Sequence, residues 1–208
     1  MKAFLVANPK GGSGKSTLAT NLAGYFASKR HEVMLGDIDR QQSSREWLGI
    51  RPFELPSIDT WDIGHDNIAR PPKGTTHVVL DTPAGLRGKL LDKVLKLSTR
   101  VIVPVQPSMF DMAATRNFLT ELLSEKAVIK GRADVAVIGM RVDARTRAAA
   151  ELERFFATFD LPVLTYLRDT QVYVQAAGAG MTIFDLPASR AERDLAQWRA
   201  IIEWAEGE

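Results

Sequence analysis

Lys10-Gly11-Gly12-Ser13-Gly14-Lys15-Ser16-Thr17 brings two lysines, three glycines and three hydroxyls into eight consecutive positions. Glycines at 11, 12 and 14 let backbone N–H groups turn inward around an anion, and a helix starting directly afterwards presents its positive end to the same anion. Lys15 is placed to bridge the outer phosphates of a nucleotide, and the Ser16 hydroxyl to ligate magnesium. The spacing G-x-x-x-x-G-K-[ST] is broken at one point, because Pro9 stands where the first glycine is expected. Lys10, an additional lysine near the start of the loop, stands beside it. Two acidic strand ends follow. Asp37 and Asp39 lie within Val33–Ser44, and Asp81 ends the apolar run Val78-Val79-Leu80, a carboxylate position suited to holding magnesium through water.

These groups need a scaffold that gathers them. Short, mostly unbroken apolar runs at Ala3–Ala7, Val33–Gly36, His77–Leu80, Val101–Val105, Val135–Met140 and Val163–Leu167 suit strands buried on both faces. Between them, Ser16–Lys29, Gly88–Leu97, Ala113–Glu125 and Thr146–Phe159 carry helical spacing. Strands alternating with helices predict an α/β fold, a mainly parallel sheet flanked by helices on both faces. In such a sheet ligands sit beyond the carboxyl ends of the strands, where the loop and the acidic residues would meet. Residues 51–76, with Pro52, Pro56, Pro71, Pro72 and Gly74, read as a variable connection holding one extra strand near Ser57–Ile63.

A length of 208 residues fits one domain spanning 1–208. A hydrophobic fraction of 45% and a charged fraction of 25% match an ordinary soluble globular chain with a sizeable core. The formal net charge of +2 does not by itself identify a polyanionic partner. Zero cysteines exclude disulfides, thiolate zinc sites, cysteine nucleophiles and cysteine-held iron–sulfur clusters, and are compatible with a reducing cytosol. The N-terminus reads as a first strand rather than a signal peptide, and no run approaches the ~20 apolar residues of a membrane span.

K-G-G-S-G-K-S resembles the deviant Walker A motif of the ParA/MinD family of partition and positioning ATPases. Further segments follow in the family's order. Asp37-Ile38-Asp39-Arg40-Gln41-Gln42-Ser43 is similar to D-x-D-P-Q-x-S, with Arg40 in the place of proline. Asp81-Thr82-Pro83-Ala84 has Ala84 where a second proline is frequent, and Pro104–Asp111 is similar to P-V-x-P-S-x-x-D. The stretches Arg168–Gly178 and Thr182–Asp185 resemble the short partition ATPases, which lack an N-terminal DNA-binding domain; the likeness spans nearly the whole chain.

This resemblance implies a single-domain P-loop NTPase using ATP and Mg2+. Asp37 would lie near the magnesium shell with Ser16 and Asp81, and Asp39 would orient or activate the attacking water. Lys10 would cross to the phosphates of a second subunit. The catalytic set is thus Lys10, Lys15 and Asp39. The nucleotide-binding set is Gly11, Gly12, Ser13, Gly14, Lys15, Ser16 and Thr17, with Arg141 and Arg168. Implied partners are a second copy in an ATP-dependent homodimer, nonspecific DNA, and a ParB-like or other activating adaptor. The expected location is the cytoplasm, on the nucleoid.

Arg141, Arg145, Arg147 and Arg154, with Arg168, Arg190, Arg193 and Arg199, could form a DNA-gripping face. Glu151, Glu153, Glu192 and Asp194 are interleaved, and solvated faces with local ion pairs would look the same. Leu195–Ala205 carries Trp198, Ile201, Ile202 and Trp204 at a spacing expected to pack on a core. Glu203, Glu206 and Glu208 disfavour a membrane-targeting role for it. The competing function is a metabolic P-loop enzyme of the cobyrinate or dethiobiotin synthetase type. A nitrogenase-reductase-like electron carrier is set aside, since it needs cysteines for its cluster.

Overall fold

The computed structural model describes residues 1–61, 63 and 69–207. Seven strands among them, β1 (Lys2–Val6), β2 (Val33–Asp37), β3 (Asp59–Trp61), β4 (His77–Asp81), β5 (Arg100–Val105), β6 (Asp134–Gly139) and β7 (Val163–Tyr166), form one sheet. Its order is β3-β2-β4-β1-β5-β6-β7, and every pairing is parallel.

Alternation along β1 explains why helices cover both faces. Ala3, Leu5 and Ala7 point into one core and Phe4 and Val6 into the other, all of them buried. The first core is closed by α3 (Gly88–Leu95), α4 (Met109–Ser124), α5 (Lys126–Ile129) and α6 (Arg147–Phe156). The second is closed by α1 (Lys15–Ser28), α2 (Ser43–Gly49), α7 (Gln171–Gly178) and α8 (Ala188–Glu206). Each fully buried Leu or Phe in these layers contributes on the order of 1.5–3 kcal/mol relative to exposure.

The chain leaves β1 toward β2 on one side and later fills the other side with β5, β6 and β7, so the order reverses at β1. The loops after β1, β2 and β4 therefore open together at that switch point. The six expected strands are all present, with ends moved by about one residue, and β3 falls inside the expected Ser57–Ile63 strand. Asp62, within that range, lies outside the described residues. Helix α4 starts earlier than expected, at Met109, because Ser108 caps it: the Asp111 N–H donates to Ser108 Oγ at 3.4 Å.

Candidate active site

The loop after β1 is fastened before it turns. Buried Asn8 donates through Nδ2 to the Pro104 carbonyl (2.8 Å) and to Thr115 Oγ1 (3.0 Å), and its Oδ1 accepts from the Lys10 N–H (2.8 Å). The Pro9 carbonyl accepts from Gly85 N–H at 2.9 Å, which ties the loop to the segment after β4. Gly12 (φ 75°) and Gly14 (φ 94°) sit in the left-handed region, where a side chain would be strained. Gly14 directly precedes α1, and a Cβ there would stand 2.6 Å from Met140 Cε.

Lys15 is buried on the first turn of α1, and its Nζ donates to the Lys10 carbonyl at 2.8 Å. Burial lowers its pKa, while the Asp81 and Asp39 carboxylates oppose that shift. Lys10 differs: its backbone is held at both ends, yet its side chain makes no hydrogen bond or ion pair with a described residue.

Asp37 and Asp81 are register partners at the ends of β2 and β4. Asp37 Oδ1 accepts from Asp39 N–H (2.9 Å), and Oδ2 accepts from the Ser44 and Arg45 N–H groups (2.8 and 3.3 Å). Burial pushes the Asp37 carboxyl up, and these backbone donors pull it back. Ser44 Oγ donates to Asp81 Oδ2 at 2.5 Å, so one buried serine ties the two carboxylates together. Asp81 is 2% exposed, and burial raises it to about 6 against hydrogen bonds from Ser16 and Ser44. The buried Asp81 carboxylate and the serine hydroxyls bonded to it are oxygen donors of the kind a divalent cation takes, and the desolvated Lys15 beside them suits the phosphate that such a cation would carry. The residues fit magnesium.

Asp39 is only partly buried. Its Oδ1 accepts from Gln41 N–H at 3.0 Å, and it lines a cavity of about 740 Å³ between Gly11 and the segments at Ile38–Gln41 and Pro83–Leu90. On the other side of the loop, a second cavity of about 490 Å³ is bounded by Gly14, Thr17, Met140, Leu167, Arg168 and Tyr173. It opens beside the start of α1, which makes it the candidate site for the base of a loop-bound nucleotide.

Lys15, Ser16, Asp37, Asp39 and Asp81 are thus brought together with the glycine loop. Arg141, exposed and at φ 54°, lies on the rim of the second cavity. Arg168 lines it too, but its guanidinium is engaged by Asp194 at 2.9 Å. Arg145 is paired with Asp143 at 2.9 Å, and Arg190 donates to Gln175 at 2.9 Å, so local partners occupy part of the expected basic face. Ser44, Asn8 and Met140 were not anticipated as site residues, and Gln106 was expected near the site only as part of the Pro104–Asp111 segment. Gln106 donates to the Gly12 carbonyl, at 2.5 Å. For Asn8 and Ser44 the available signal was a polar residue directly beside a motif, and Met140, apolar and remote in sequence, offered none.

Residues 4–183 match the CobQ/CobB/MinD/ParA nucleotide binding domain, a span that takes in the loop, the three aspartates and both cavities. The chain belongs to this family. It is 29% identical over 203 residues to a maintenance of carboxysome distribution protein A from Gloeobacter kilaueensis, covering 95% of this chain and 91% of that one. It is 28% identical over 188 residues to the chromosome-partitioning ATPase Soj of Thermus thermophilus, covering 74% of each. An ATP complex of Cyanothece McdA shares the fold, with a TM-score of 0.75 over 100% of this chain and 96% of that chain at 16% identity. The fold is that of the ParA/MinD-type ATPases.

Proposed function

We propose that this chain is an Mg2+-dependent ATPase that dimerises on ATP, binds DNA without sequence preference and, stimulated by an adaptor protein, positions a cargo. The observation that carries this reading is Lys10, with its backbone fixed and its side chain unengaged by any described residue. A lysine so placed is available to a nucleotide held by a second copy. Asp39 faces the cavity beside it, where a water in line with the terminal phosphate could be oriented.

In this account residues 1–208 act as one unit. The loop N–H groups and Lys15 grip the phosphates, with Lys15 exchanging its bond to the Lys10 carbonyl for phosphate oxygens. Ser16 would hold magnesium directly and Asp81 through water, with Asp37 behind them. Bound magnesium would neutralise charge on the phosphate oxygens. Ser44, through Asp37 and Asp81, fixes the start of α2 and with it the Asp39 loop. Catalysis then rests on positioning and charge stabilisation rather than covalent chemistry.

Arg141, Arg147, Arg193 and Arg199 are exposed and form no ion pair among the described residues, which makes them the better candidates for DNA phosphates. Trp198, Ile201 and Ala205 of α8 are fully buried, so that helix spends its apolar face on the core. Among the described residues no helix is long and apolar enough to cross a membrane. The relatives named for carboxysome distribution and chromosome partitioning favour a large assembly or DNA as cargo, and the proposed DNA binding would put the protein in the cytoplasm, on the nucleoid.

Binding to nonspecific duplex DNA across a salt series tests this. The reading predicts binding only with ATP, weakening with salt by a log–log slope of about −0.9 per phosphate contacted. The family also embraces CobQ and CobB, so an ATP-using synthetase is the second reading. Absence of DNA binding in every nucleotide state would favour it.

A further inference from the structure

One face of α8 reaches the wall of the base-side cavity through polar groups. Asp194, Gln197 and Trp198 stand at i, i+3 and i+4, hence on the same side of the helix. Asp194 is fully buried, and a buried carboxylate persists only when paired. Both its oxygens are taken by Arg168, with Nε donating at 2.9 Å and Nη2 at 2.9 Å. One turn on, Gln197 accepts from the Arg168 N–H at 3.1 Å and donates to the Tyr166 carbonyl at 2.6 Å. Trp198 Nε1 then donates to the Tyr173 hydroxyl, on α7, at 2.9 Å.

These contacts fall where the sheet itself gives least support. β7 is an edge strand, and its pairing with β6 is irregular between Val137 and Ile138. Leu167 is bonded inward, to the Gly139 carbonyl and the Val142 N–H. The outward-facing Tyr166 carbonyl and Arg168 N–H are satisfied by the Gln197 amide, which acts as a one-residue strand partner on the open edge. Leu167, Arg168 and Tyr173 all line the cavity, opposite Gly14 and Thr17 of the phosphate loop. Apolar packing of Trp198 and Ile201 already docks the helix. The polar set adds direction, fixing backbone and ring positions along that wall.

We propose that Asp194, Gln197 and Trp198 are positioning residues for the nucleotide base: the C-terminal helix sets the base-side wall without touching the nucleotide. This rests on the reading of the second cavity as the base site. It also gives Arg168 its role, as the anchored piece of that wall rather than a phosphate ligand.

Calorimetric titration with ATP and with inorganic tripolyphosphate, both with magnesium, separates base from phosphate binding. Asp194→Asn, Gln197→Met and Trp198→Phe should each weaken ATP by about tenfold while leaving tripolyphosphate within about twofold of wild type. Circular dichroism and a cooperative melt establish that each variant is folded. Should Asp194→Asn not fold, Gln197→Met, at a partly buried position, carries the same comparison. Equal weakening of both ligands, or unchanged ATP affinity in folded variants, overturns the proposal. So does a wild-type protein with no preference for ATP over tripolyphosphate. A wild type that binds neither ligand overturns the phosphate-loop reading itself, and the proposal with it.

Discussion

Replacing Asp81 with asparagine should stabilise the nucleotide-free protein at neutral pH while removing the carboxylate proposed for the magnesium shell. Asp81 is 2% exposed and its pKa is raised from 3.8 to about 6, chiefly by burial. The folded state therefore prefers the protonated form, and holding the carboxylate ionised above pH 7 works against folding. A rise from 3.8 to about 6 corresponds to ~3 kcal/mol. The realised gain should be about 1–3 kcal/mol, because the variant also deprives Lys15 of a countercharge and weakens the bonds from Ser16 and Ser44. The sign follows from proton linkage. With a folded-state value above the unfolded one, wild-type stability falls as pH rises from about 4 through 6, and the variant lacks that fall. Urea unfolding in a chelating buffer at pH 5 and 7.5 should show the variant's advantage growing with pH. An Asp81→Asn protein less stable than wild type at pH 7.5, or an advantage independent of pH, would refute the reasoning.

His77 titrates in the opposite sense. Its buried Nε2 has no hydrogen-bond partner among the described residues, its ring packs at a tilt against His31 and Phe26, and burial first, then His31 and Lys2, lowers its pKa to about 4. The neutral ring thus supports the fold above pH 6.5, and that support is lost as pH falls toward 4. Urea melts of His77→Phe should lose less stability between pH 7 and 5 than wild type; an identical pH dependence would exclude His77 as the source. Gly14→Ala should destabilise by about 1–3 kcal/mol, since φ is 94° and Met140 Cε crowds the new methyl. In a Met140→Ala background, itself destabilised by the cavity it leaves, Gly14→Ala should cost less than in wild type but still something, and a Tm equal to that of Met140→Ala alone would show that backbone strain contributes nothing.

Strands buried on both faces were legible because an apolar run of five or six residues admits few other readings. The glycine loop was legible because its residue types have few other uses. Short polar helices were not. α2 begins after Gln42 at φ 50° and reads Ser-Ser-Arg-Glu, a sequence with little apolar period, although its Ser44 joins Asp37 to Asp81. Only the Leu195–Ala205 half of α8 was visible, since its first turns, Ala-Ser-Arg-Ala-Glu-Arg-Asp, bury just Ala191 and Asp194. Arg168 looked like a free cation because a sequence does not reveal that a carboxylate 26 positions away would reach it. Arg145 carried its own answer two residues upstream, in Asp143.

The central claim is a nucleotide site completed by a second copy, and sedimentation of Asp39→Ala with ATP and magnesium tests it most directly. With hydrolysis blocked, Asp39→Ala should sediment as a lasting dimer. Adding Lys10→Ala should return it to monomer while ATP binding persists, whereas Lys15→Ala should abolish binding itself. An Asp39→Ala protein that stays monomeric with ATP, or a dimer indifferent to Lys10, would contradict the account.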